Sequence, residues 1–191
     1  MSLRRNYVFP YGELILYTLS MVAWVERHPS RRILGTLIVA WIIGKIVSGY
    51  VYNRPWHIHG EWLAVLIVIV FWSRLHEARG YFALFWATLT LAGQYLLILN
   101  EPGIIPYQEL LFPLMWITIT RLAAHTYWDL AFALCGALLI NQFLIVLLFQ
   151  GIILYQELPD PHYWQLTITY LCLKATVQRH SLWSPDSSLQ K

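Results

Sequence analysis

Glu13, Glu61, Glu109 and Glu157 follow one another at steps of 48 residues, each at the start of a hydrophobic segment, and Arg27, Arg74 and Arg121 recur at steps of 47 near the ends of three of those segments. An acid at a helix start meets the positive end of the helix dipole, and a cation at the other end meets the negative one. As helix termini and topology determinants these charges need no further explanation. Their spacing adds a constraint, because only 12 to 14 residues separate each acid from its arginine. That length spans roughly 18 to 21 Å of helix, less than the ~30 Å hydrocarbon core of a bilayer. Some of these charges must therefore snorkel, thin the bilayer or face a bundle interior. If the helices that carry them are central, the four acids would rim an outer vestibule that concentrates cations.

Lys45, Gln94 and Gln142 form a second series, at steps of 49 and 48, and each follows a small or polar residue: Gly44, Gly93 and Asn141. Interhelical hydrogen bonds explain polar residues at such positions. The functional alternative is a polar ring, with Asn141, that lines a substrate pathway near the repeat axis. A lysine inside an apolar segment calls for a counterion or a route to the interface, and Glu13 or Glu61 is the expected partner of Lys45. His57-Ile58-His59-Gly60-Glu61 would place two imidazoles and a carboxylate on one side if extended, and Glu157, Asp160 and His162 fall on the same side of the membrane, where they would complete a site. Zinc needs three or four ligands, and no ligand spacing supplies them. No metal and no cofactor are expected, with His57 and His59 the nearest approach to a site. HExxH, Gly-x-Ser-x-Gly and phosphate-cradling loops are absent from the sequence, so no local motif argues for an enzyme.

The elements that position these residues are set by composition. The chain has 191 residues, 58% hydrophobic and 12% charged, with a mean hydropathy of +0.53. A soluble domain of that composition lacks the polar residues to cover its surface. Apolar runs near 33–52, 81–99 and 129–154 approach or exceed the ~20 residues of a spanning helix, and shorter runs lie near 10–26, 58–75, 106–122 and 160–177. The sequence predicts an all-α polytopic integral membrane bundle of about seven transmembrane helices. Pro10, Pro55, Pro106 and Pro159 precede or open the odd helices, where a missing N–H costs little.

The seven arise from tandem parallel two-helix repeats of about 48 residues, clearest where Gly103-Ile104-Ile105-Pro106-Tyr107-Gln108-Glu109-Leu110 is echoed by Gly151-Ile152-Ile153-Leu154-Tyr155-Gln156-Glu157-Leu158. The units run approximately 9–56, 57–104, 105–152 and 153–180, the last holding a single helix. Together they make one transmembrane domain, 1–180, followed by a polar tail, 181–191. Two helices per unit make successive copies enter the membrane in the same direction, as in parallel-repeat transporters.

With the N-terminus outside, Arg27, Arg31, Arg32, Arg74, Arg79, Arg121, Lys174, Arg179 and Lys191 fall on the cytoplasmic side, and only Arg4, Arg5 and Arg54 on the outer one. The positive-inside rule favours that orientation. The expected location is the plasma membrane of a prokaryote. Cys135 and Cys172 fall inside spans and read as small apolar fillers. The net charge of +3 argues for no nucleic-acid partner. The functional expectation is a small non-enzymatic membrane protein that binds another membrane component in the lipid bilayer, a second membrane protein or a second copy of itself. Gly44 with Ser48, and Ala133 with Ala137, offer small residues four apart for close helix packing. The alternative is a small-solute or cation transporter built on Lys45, Gln94, Gln142 and the outer acids.

Overall fold

The computed structural model describes residues 11–27, 31–50, 56–100, 106–148, 156–158 and 161–177. The polar tail, Pro10, Pro55, Pro159, Asp160, Arg4, Arg5, Arg54, Arg179 and Lys191 lie outside them. Among the described residues there are seven helices: α1 (Tyr11–Val25), α2 (Arg31–Tyr50), α3 (Gly60–Leu75), α4 (Tyr81–Asn100), α5 (Gln108–Ala123), α6 (Tyr127–Leu148) and α7 (Pro161–Val177). Two three-residue strands, β1 (Trp56–Ile58) and β2 (Gln156–Leu158), are added to the expected helices. They pair in parallel, His57 opposite Glu157.

Local chemistry ends the helices. After α3 the chain adopts a Schellman motif, with the Ala78 N–H bonded to the Ser73 carbonyl and the Glu77 N–H to that of Arg74. Glu77 sits in the left-handed region at φ 55° where a glycine is usual. At the start of α6, Thr126 Oγ1 accepts the Asp129 N–H while the Asp129 carboxylate accepts the Thr126 N–H, a reciprocal cap. Helix α7 opens on Pro161, whose lost N–H is one that an intrahelical bond would not use. Glu157 therefore stands in β2, four residues ahead of the helix. This departs from the helix-start position expected for it.

Consecutive helices run up and down, and cross-bundle bonds define two ends. Gly12 meets Gln165, Ser48 meets Glu61, and β1 meets β2 at the end where the odd helices begin. Arg79 meets Asp129 and Tyr127 meets Leu171 at the other. The lateral order is not the chain order. Helix α2 packs on α1 and α3, α4 on α5 and α6, and α7 on α1 and α5. Helix α6 lies against both α3 and α4 and also touches α5 and α7, which makes it the core helix. Leu130, Ala133, Leu134, Cys135, Ala137 and Leu138 along it are all buried.

The exterior is apolar. Val39, Ile42, Ile43, Ile46 and Val47 on α2, Phe82, Phe85 and Leu89 on α4, and Leu110, Leu111, Leu114 and Met115 on α5 are exposed. Among the described residues two segments, Tyr81–Ile98 in α4 and Tyr127–Leu147 in α6, are long and apolar enough to cross a membrane.

Candidate functional site

The close packing of α2 on α3 builds the polar cluster at the end where the odd helices start. A Cβ added to Gly44 would overlap the Gly60 carbonyl and lie 2.6 Å from the Glu61 Cα. Only glycine lets the two backbones meet there. This approach brings Ser48, one turn beyond Gly44, to the Glu61 carboxylate. The Ser48 hydroxyl contacts Glu61 Oε2 at 2.9 Å and the Gly44 carbonyl at 2.8 Å. His59 Nδ1 lies 3.4 Å from the other carboxylate oxygen, Oε1.

Glu13, on α1, is within electrostatic reach of Lys45, Glu61 and His59. Two carboxylates, an ammonium, an imidazole and a hydroxyl thus gather at one end of α1, α2 and α3. This set can hold protons or a polar solute. Among the described residues no three His, Cys, Asp or Glu side chains converge on a point that could hold a metal ion. His57 stands in β1, opposite Glu157 of β2, and His162 stands in the first turn of α7.

The series Lys45, Gln94 and Gln142 occupies three different environments. Lys45 is exposed on α2 with its ammonium 4.4 Å over the Trp41 ring, a cation–π contact one turn away. Gln94 is buried and satisfied at both ends of its amide. Its Nε2 donates to the Phe112 carbonyl at 3.1 Å, and Tyr163 donates to its Oε1 at 3.0 Å, so α4, α5 and α7 are tied together. Pro113, next along α5, lacks the N–H that would bond the Glu109 carbonyl one turn earlier. Gln142 and Asn141 are buried on α6, and neither Gln142 amide atom nor the Asn141 Nδ2 has a hydrogen-bond partner. Helix α2 packs on α1 and α3 while α4 and α6 pack on each other.

Glu109 is the second residue of α5. Arg74 and Arg121 lie in the last turns of α3 and α5, and Arg27 lies beyond α1 in a left-handed conformation at φ 51°. The two helical arginines act alike: Arg74 Nη1 donates to the Ala78 carbonyl at 3.0 Å, and Arg121 Nη1 to that of Ala124 at 3.3 Å. Each guanidinium satisfies a carbonyl just past its own helix.

Three features escape the sequence reading. Asp129 accepts the Arg79 N–H at 2.8 Å and so clamps the α3–α4 turn to α6. The Thr-x-x-Asp spacing is the signal that would have marked it. Trp62 and Trp164 stack at 3.4 Å between ring centroids, joining α3 to α7. Gly12 N–H points to the buried Gln165 Oε1 at 3.5 Å. No local pattern announces these last two, since each pairs residues about a hundred or more positions apart.

The architecture is thus a helical bundle closed by a small parallel strand pair, with a charged cluster at one end. Comparison with protein families, with curated proteins and with solved structures returns no match.

Proposed function

We propose that this chain is a polytopic integral membrane protein, its seven helices crossing the bilayer, that works without catalysis by binding another membrane component. The observation that carries the reading is the apolar exterior. Large aliphatic and aromatic residues are exposed at mid-helix on α2, α4 and α5, and on α3 at Ile67 and Phe71. In water such continuous apolar surface drives association, whereas in lipid it is the solvated face. The small-residue pairs are used within the chain: Gly44 and Ser48 against α3, and Ala133 and Ala137 in the core. A membrane partner would therefore meet the large-residue faces.

The basic end carries Arg31, Arg32, Arg74, Arg79 and Arg121, all exposed, and faces the cytoplasm in this reading. Alkaline carbonate extraction tests the first half: the chain stays in the membrane pellet, and release to the supernatant rejects the reading. A photo-crosslinker at Phe85 or Phe143 tests the second, with one discrete adduct expected in native membranes and none after substitution of the surrounding face.

A specific observation favours small-solute or cation transport as a second reading, namely the convergence of Glu13, Lys45, Ser48, His59 and Glu61 at one end. Single cysteines at 45, 94 and 142, in a background lacking Cys135 and Cys172, separate the two. Labelling by a water-soluble thiol reagent at all three supports a hydrated pathway, and protection at 94 and 142 supports packing.

A further inference from the structure

Lys174 lies in the last turn of α7. A lysine there has a four-carbon stem long enough to carry its ammonium to the interface. Instead the Nζ is buried and has no hydrogen-bond partner. Among the described residues the charge that acts on it is a like one, Arg121 at the end of α5, one of the helices against which α7 packs. Among the described residues its aromatic contact is the Tyr170 ring, 5.9 Å from Nζ on the same helix. Arg121 is exposed and uses Nη1 on the Ala124 carbonyl, which holds the guanidinium near the helix end and leaves its other N–H groups available. An unpaired buried ammonium beside a second cation is a costly arrangement without an anion to complete it. Asp129, the buried acid at this end, has its oxygens on the Arg79 and Thr126 N–H groups.

We infer that Lys174 and Arg121 form a binding site for an anionic phospholipid, whose phosphate oxygens sit between the ends of α5 and α7. The inference rests on the membrane reading above and names the membrane component that the protein takes. A phosphate offers acceptors to both cations at once, bidentate towards Arg121 and as a point-charge contact towards Lys174. The site lies at the helix ends, the depth of headgroups. The exposed Leu173 beside Lys174 and Leu122 beside Arg121 offer apolar surface for the acyl chains. Free phosphate shares the headgroup chemistry but gains nothing from that surface.

The test uses the full chain, purified in detergent and stripped of lipid, with thermal unfolding as the readout. Short-chain phosphatidylglycerol, short-chain phosphatidylcholine and inorganic phosphate are added separately. Phosphatidylglycerol is expected to raise the midpoint well above the effect of the other two. Lys174→Gln weakens the apparent affinity for it about five-fold, as expected for one basic group lost from an anionic lipid surface. Lys174→Met also removes the buried charge, so it folds at least as well without lipid and shows the same weakening of the phosphatidylglycerol response. An unchanged response in Lys174→Met overturns the site. So does an equal response to phosphatidylcholine, and a full response to inorganic phosphate assigns the site to a free ion and overturns the lipid. Carbonate extraction of both proteins runs in parallel. Retention of both in the membrane with an unchanged lipid response sinks this site alone, whereas release of both sinks the membrane reading.

Discussion

At the scale of single residues, positions related by the repeat do different work, and substitution distinguishes them. Gly44→Ala forces a methyl into the Gly60 carbonyl and the Glu61 backbone, so it is expected to destabilise the fold by about 1–3 kcal/mol. A Cβ added to Gly93 would meet nothing within 4 Å. Gly93→Ala gains helix propensity and is expected to be neutral or to stabilise by up to ~1 kcal/mol. Unfolding in detergent compares the pair, and equal losses would refute the close α2–α3 contact.

The glutamines divide in the same way. Gln94→Leu breaks bonds to Phe112 and Tyr163 and is expected to cost about 1–2 kcal/mol. Gln142→Leu removes an amide without partners and is expected to be neutral or stabilising. A loss at Gln142 as large as that at Gln94 would reveal a bound partner there.

At the scale of elements, the insertion of α6 beside both α3 and α4 depends on a clamp. Asp129 caps its own helix and holds the Arg79 N–H, and a Cβ on Gly80 would lie 2.8 Å from the Asp129 Cβ. Turn and helix are fitted to each other. Asp129→Ala leaves two backbone donors unsatisfied, at an expected cost of about 1–3 kcal/mol. Amide hydrogen exchange at Arg79 and Thr126 is expected to rise selectively, and a uniform rise across all helices would instead indicate global destabilisation. The ends of α3 and α5 were legible in the sequence, because Arg74 and Arg121 cap carbonyls in their own immediate neighbourhood. The start of α7 was less so. The eight-residue echo around Glu157 matches that around Glu109, yet Pro161 moves the helix start and leaves Glu157 to pair in a strand.

At the scale of the molecule, β1 and β2 join the middle of the chain to its last helix, beside the Trp62–Trp164 stack and the α1–α7 contact. Adjacent strands stand ≈ 4.8 Å apart, within the Cα separation that a disulfide bridges. Cysteines at His57 and Glu157, in a background lacking Cys135 and Cys172, are expected to oxidise within the chain. A mobility shift on non-reducing gels reads this out. Pairing of position 57 with 158 in place of 157 would refute the register.

The sequence by itself determined, to within a few residues, where the seven helices of the described residues lie, since apolar run length and proline act within a few positions of one another. It also determined the repeat, and with it the acids Glu13, Glu61 and Glu109 near helix starts. Tertiary structure alone decided the neighbours. Whether a buried amide finds a carbonyl or nothing depends on which helix packs beside it, and that choice rests on contacts between residues far apart in the chain. Gly44 admits α3, Asp129 admits α6, and the tryptophan stack closes α7 onto α3. These contacts bound Gln94 at both ends and left Gln142 without a partner, while Lys45 lies over Trp41 of its own helix, although the repeat had made the three look equivalent.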